Sequence, residues 1–208
     1  MRKDVMAGAA VGAALLGGAA YYYFRERAQE EPDFRALESD GDHQIRDYPA
    51  LIVAETVVNG PRREALDEGH RVLADFLAAK SRDGDELPML NPVIQDSGAP
   101  MASDPPLFDD DLEGAWRTRV VMPLGLGADE LPDPPEGVEL VELPARKVAV
   151  VSFSGRWTDA LLREQEDRLR GWLSKRGVTS RGEPEYAFYN SPMVPGPLRR
   201  NELWLALS

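Results

Sequence analysis

Two histidines and no cysteine set the chemical repertoire of this 208-residue chain. Without cysteine there are no disulfides, thiolate nucleophiles, iron–sulfur clusters or thiolate-held metals. His43 stands beside an Asp-Gly turn, where exposure is expected. His70 falls on the apolar stripe of an amphipathic segment, four residues after Leu66 and three before Leu73. An imidazole buried there must find a hydrogen-bond partner, face a cavity or ligate an iron centre. Arg62, Arg63 and Arg71 share that segment, and an arginine at a pocket rim suits the carboxylates of an amphipathic ligand. Ordinary helix-surface arginines fit the same pattern. Met89, Met101, Met122 and Met193 suit a soft apolar pocket or scattered core positions. Ser152 and Ser154 lie in SFSG, which lacks the Gly-x-Ser-x-Gly elbow of a hydrolase. The acidic run Phe108-Asp109-Asp110-Asp111 lacks the spacing of a calcium loop and reads as solvated loop.

These residues must be positioned by a unit that the chain uses twice. Val53-Ala54 matches Val148-Ala149 and Gly60 matches Gly155, each about 95 residues on; with one extra residue in the second helix, Leu66, Phe76 and Leu77 fall opposite Leu162, Trp172 and Leu173. Each copy reads as strand, glycine turn, helix. Such a unit cannot bury its own apolar face, so two copies predict one pseudo-twofold domain whose strands share a sheet covered by both helices. The spacing predicts a hairpin of FRALE and HQIRDY around Ser39-Asp40-Gly41-Asp42 and a strand from Ala50 to Val58. A first helix runs from Pro61 to about Lys80, and a second starts at Thr158 as N-cap and stops at Gly177. Strands are expected at Trp116–Met122, Val138–Leu143, Tyr186–Asn190 and Asn201–Leu207. Prolines between Leu87 and Leu107 restrict that stretch to edge strand or extended loop. Each half is then strand, helix, strand, strand. The class is α+β with a mixed or antiparallel sheet, and no Rossmann or P-loop pattern occurs.

Formal net charge is −12. Met1 to Arg27 carries Arg2, Lys3, Arg25 and Arg27 against Asp4 and Glu26, so the acidity belongs to the rest of the chain. A surface this acidic repels phosphate backbones, and no nucleic-acid reader motif is present. Val5 to Phe24 is charge-free, long enough to span a bilayer and closed by Tyr21-Tyr22-Tyr23 at interface level. Residues 1–27 are read as a membrane anchor, or as a signal peptide cleaved near Gly18-Ala19-Ala20. Residues 28–33 form a charged tether and 34–208 the domain. The expected placement is membrane-anchored with the domain outside the cytoplasm, on the periplasmic side, or exported after cleavage.

From Phe34 to Leu207 the chain resembles the SOUL heme-binding protein family. The matching pieces are Ile45-Arg46-Asp47-Tyr48-Pro49, Val53-Ala54-Glu55 with Gly60, the Met-x-x-Pro segments near Met89 and Met101, and Val121-Met122-Pro123. They continue with Leu131-Pro132-x-Pro134, Phe153-Ser154-Gly155, Tyr189-Asn190-Ser191-Pro192 and Arg199-Arg200-Asn201-Glu202-Leu203-Trp204. The resemblance implies a distorted antiparallel β-barrel or strongly bent sheet flanked by two helices, in two pseudo-symmetric halves. It also implies heme or another tetrapyrrole in a shallow apolar cleft beside the first helix, held by a carrier, buffer or sensor rather than an enzyme. The fold is similar to ligand-sensing domains of bacterial multidrug-responsive regulators. One branch's axial histidine would fall at Asp47, a poor heme ligand, whereas His70 stands where the family usually has an aromatic residue. The expected site is therefore Leu66, Leu73, Met89 and Met101 against the ring, Arg62 or Arg71 on its carboxylates, and His70 on the iron. The alternatives are an enzyme acting on a small hydrophobic compound with Glu202 or Glu55 as general acid or base, and an envelope interaction module without a small ligand.

Overall fold

The computed structural model describes residues 18, 20–97 and 114–208. The expected contact at Met101, the acidic run at 108–111 and most of the apolar N-terminal stretch lie outside them. Helix α1 covers residues 20–27. Strands β1 (Arg35–Asp40), β2 (His43–Tyr48) and β3 (Leu51–Gly60) lead into α2 (Arg62–Leu77), followed by β4 (Val93–Ser97) and β5 (Gly114–Val121). Strands β6 (Glu139–Leu143) and β7 (Arg146–Ser154) lead into α3 (Asp159–Ser174), and β8 (Ser180–Phe188) and β9 (Arg200–Leu207) close the chain. All pairings are antiparallel, in a nine-stranded sheet ordered β1-β2-β7-β9-β8-β4-β5-β3-β6.

That order is two copies of one arrangement meeting at β8 and β4. The halves also exchange their leading strands: β2 precedes β3 in sequence but pairs with β7, while β6 precedes β7 but pairs with β3. The registers obey the same symmetry, Tyr48 facing Arg146 as Leu143 faces Leu51. Pro49-Ala50 and Pro144-Ala145 make the two crossings, so the repeat is longer than its strand-turn-helix core. The turn glycines require positive φ, +135° at Gly60 and +111° at Gly155, where a side chain would be strained.

One face of the sheet carries both helices. Leu162, Leu169, Trp172 and Leu173 of α3 bury against Ala149, Val151, Leu203 and Leu205, while Leu73, Phe76 and Leu77 of α2 bury against Ala54 and Val120. Thr158 caps α3 by accepting from Leu161 N at 3.2 Å. The other face curls inward, bringing Tyr48, Ile94, Val148, Val150 and Trp204 of four strands together with Tyr189, just past the end of β8. The sheet is bent but not closed.

Two expectations are corrected. Val93–Ser97 is a central strand between β8 and β5, not an edge or loop, because the prolines flank it and Pro92 ends where the ladder begins. His43 is half-buried and stacks on Trp172 with ring centroids 5.3 Å apart.

Candidate ligand-binding surface

His70 is exposed, not buried. The buried line of α2 runs through Arg62, Ala65, Gly69, Leu73 and Phe76. A Cβ at Gly69 would stand 2.5 Å from Thr118 Oγ1, so the helix backbone itself presses on β5 there. The next residue, about 100° further round, is turned out to solvent. Leu73 is fully buried in the core and cannot line a cleft. Leu66 packs half-buried on the α3-side core while Met89 packs on the α2-side core, so the expected apolar set is split.

The arginines are also redistributed. Arg62 is no rim residue: it is 4% exposed, donates from Nε to Gln95 Oε1 at 3.0 Å and from Nη1 to Asp159 Oδ1 at 3.1 Å. Its guanidinium carbon lies 3.9 Å from the ring centre of Tyr186 and 4.9 Å from that of Trp116. Burial lowers its pKa from the ordinary value against the pull of Tyr186 and Asp159. Arg62 thus ties α2 to β4 and to the start of α3. Arg71 is exposed and paired with Glu68 and with Asp75 on its own helix.

A different set converges at the start of α2. Arg63 is exposed, with its guanidinium carbon 4.4 Å from the ring centre of Trp157 and Nη2 donating to Trp157 O at 3.5 Å. Arg156 precedes Trp157 in the turn between β7 and α3, and its stem lies against the β8–β9 loop, where a Cβ at Gly196 would meet its Cγ at 3.2 Å. Arg199 closes that loop, donating to Val194 O at 2.7 Å and Pro192 O at 2.8 Å. Burial lowers the Arg199 pKa, and the positive charges of Arg156 and Arg63 lower it further, against the pull of the Glu26 carboxylate. Among the described residues no carboxylate lies at ion-pair distance from any of the three. Met193, 59% exposed, and Leu198, 52% exposed, stand on the same loop. Arg63, Leu66 and His70 follow one another along one side of α2, so the imidazole borders this surface.

The inward face of the sheet carries charge. Glu202 accepts from Arg46 Nη1 at 2.9 Å and Nη2 at 3.0 Å, Arg200 Nη2 at 2.9 Å, Tyr189 OH at 2.8 Å, Trp204 Nε1 at 2.8 Å and Ser152 Oγ at 3.2 Å. Although burial works against it, Arg46 and Arg200 hold the Glu202 pKa down to about 2. A carboxylate so fixed is a poor general acid or base near neutral pH. Glu55 accepts from Arg119 Nε at 2.8 Å, and Arg119 also pairs with Asp96 at 2.7 Å. Two shallow grooves of about 310 and 320 Å³ lie at Met122–Ala128 beside β3 and at Asp96, Arg117 and Glu185. Neither includes an α2 residue. Among the described residues no cluster of His, Asp and Glu is arranged to hold a metal, and no helix is long and apolar enough to cross a membrane.

The chain is a curled antiparallel sheet of two strand-exchanged halves, with an apolar and cationic surface beside α2. The family model of the SOUL heme-binding protein matches residues 29–206, and the chain belongs to that family. No curated protein matches the chain by sequence. Among solved structures it is similar to the C-terminal domain of EcmrR, with a TM-score of 0.57 and 12% identity over 80% of this chain and 96% of that one. It is also similar to a hydrolase from Listeria innocua, with a TM-score of 0.55 and 12% identity over 83% of this chain and 94% of that one. At such identity the likeness is one of fold.

Sequence reasoning named Arg63 and Met193 without assembling them, and missed Arg156, Trp157, Leu198 and Arg199. No sequence signal joins them, since Arg63, Arg156 and Arg199 are far apart in the chain.

Proposed function

We propose that this protein binds heme or another tetrapyrrole on the surface between the start of α2 and the β8–β9 loop, as a carrier, buffer or sensor. Family membership supports binding of heme or a small hydrophobic molecule. The observation that carries the location is the cluster Arg63, Arg156 and Arg199, with no ion pair among the described residues, around exposed Met193 and Leu198 on a chain of net charge −12. A tetrapyrrole presents an apolar plane and carboxylates, and this surface offers the complement of each. Trp157 and Leu198 would take the plane and the arginines the carboxylates. The exposed imidazole of His70 is accessible to an iron centre, whereas Leu73, Arg62 and Arg71 are buried or paired and stand outside this site. The charge-free stretch Val5–Phe24 supports a membrane anchor, and with two basic residues on each side of it the free N-terminal amine favours a domain outside the cytoplasm.

The test is a hemin titration of the full chain in detergent micelles, comparing wild type with a triple Arg63→Glu, Arg156→Glu, Arg199→Glu variant. Exposed arginine–carboxylate pairs contribute up to about 1 kcal/mol each, so the triple variant should bind about 10- to 100-fold more weakly. Equal affinity would remove the site from this surface.

A further inference from the structure

The segment joining the apolar N-terminal stretch to the domain is fastened, not free. Glu26, at the end of α1, is 9% exposed and accepts from Ser191 N at 2.9 Å and from Ser191 Oγ. Asn91 Nδ2 donates to Glu26 O at 3.0 Å, Asn91 N to Glu30 O at 2.9 Å, and Arg200 Nη1 pairs with Glu31 at 2.8 Å. These bonds fix α1 against the β8–β9 loop, two residues from Met193. The C-terminal end of the charge-free stretch is thereby held beside the loop that carries Met193 and Leu198. Tyr21 and Phe24, 62% and 68% exposed, stand on the last turns of α1. Exposed aromatics, exposed aliphatics and arginines without an ion pair among the described residues together match the composition of a membrane interface.

From this arrangement we infer that the face bearing Met193, Leu198, Arg63, Arg156 and Arg199 lies against an anionic lipid bilayer, the one that the apolar N-terminal stretch enters. The arginines meet lipid phosphates, and the loop side chains reach the acyl boundary. A basic residue near an anionic membrane surface favours association about fivefold, so three favour the docked orientation about a hundredfold. The consequence for ligand traffic rests on the functional reading above: lipid and tetrapyrrole compete for the same arginines and Leu198, so a tetrapyrrole partitioned in the bilayer reaches the site by displacing lipid from it.

The cysteine-free chain allows a direct test. Full-length Met193→Cys, Leu198→Cys and Lys175→Cys variants, each carrying an environment-sensitive fluorophore, are reconstituted in phosphatidylglycerol vesicles with and without spin-labelled lipid. Lys175 lies at the far end of α3, about 24 Å along a 16-residue helix from the arginine cluster. The docked face predicts a blue shift and loss of emission by lipid quenching at 193 and 198, and neither at 175. Reversing Arg63, Arg156 and Arg199 to Glu, or adding 1 M salt, which cuts the screening length to about 3 Å, should abolish the difference. Equal quenching at all three positions, or none, would overturn the orientation. Quenching at 193 and 198 that persists unchanged in phosphatidylcholine vesicles would overturn the anionic requirement. A blue shift without lipid quenching that grows with protein concentration would assign the face to a second protein copy instead. All three labels sit at exposed positions, where substitution perturbs stability little, and matching thermal unfolding of the wild type checks this. Failure of hemin binding in micelles would leave the quenching pattern untouched, so the two readings fail separately.

Discussion

Replacing Glu202 with glutamine should remove a large part of the stability of this domain at neutral pH and almost none of it in strong acid. The carboxylate is completely buried and receives both Arg46 nitrogens at 2.9 and 3.0 Å, along with Tyr189 OH and Trp204 Nε1 at 2.8 Å. Its pKa falls from 4.5 to about 2. At about 1.4 kcal/mol per pKa unit, that preference for the ionised form corresponds to about 3 kcal/mol of folding stability. The sign follows from the direction. A carboxyl whose folded pKa is depressed contributes fully above its unfolded pKa, here 4.5, and loses that contribution as pH falls through about 2. Glutamine removes the charge opposite Arg46, itself 3% exposed, and breaking a buried pair at one partner costs about 3–5 kcal/mol. Urea unfolding in mild detergent, followed by tryptophan fluorescence at pH 7 and again in steps down to pH 2, measures the difference directly. The gap between wild type and Glu202→Gln should be about 3–5 kcal/mol at pH 7 and should close below pH 4.5. A gap under 1 kcal/mol at pH 7, or one that widens in acid, would refute the reasoning.

Gly69→Ala should cost about 1–3 kcal/mol by forcing α2 off β5, since its Cβ would meet Thr118 Oγ1 at 2.5 Å. Adding Thr118→Ala should recover most of that loss in the same unfolding assay. Thr118→Ala alone should cost only about 1 kcal/mol, for the buried γ-methyl it removes, because the hydroxyl it also deletes has no hydrogen-bond partner among the described residues. Arg62→Ala should destabilise by about 3–5 kcal/mol through loss of the links to Asp159 and Gln95, and Arg62→Lys should restore only part, since one ammonium cannot reproduce the forked contacts. Gly155→Val should destabilise by about 1–3 kcal/mol, because a β-branched residue is strained at φ +111°.

Much of the fold was legible because the sequence repeats its own architecture. Gly60 and Gly155 mark the same turn twice, Thr158 caps α3 as its residue type dictates, and the helical periodicities locate both cores. The strand exchange was not legible: Pro49-Ala50 and Pro144-Ala145 are visible in sequence, but only the pairings show that each half lends its leading strand to the other. Strand β4 was hidden by its flanking prolines. His70 was misplaced because apolar periodicity ranks side chains and overlooks a glycine, whereas Gly69 makes the closest approach to the sheet. Arg62 and Arg63 are adjacent in sequence and opposite in fate, one locked among aromatics and the other open to solvent. Their division follows from which side of α2 faces the sheet, a tertiary fact. The cationic surface draws Arg156 and Arg199 from two turns distant in sequence, and three-dimensional proximity alone makes them a site.

The most direct test of the central claim is the paired hemin titration, following the Soret band of the full chain in micelles for wild type, the triple Arg63→Glu, Arg156→Glu, Arg199→Glu variant and His70→Ala. Saturable one-to-one binding by wild type, weakened about 10- to 100-fold by charge reversal and with an altered spectrum in His70→Ala, is the result expected of a site between α2 and the β8–β9 loop. Saturable binding that neither variant changes, or no saturation by wild type, would contradict it.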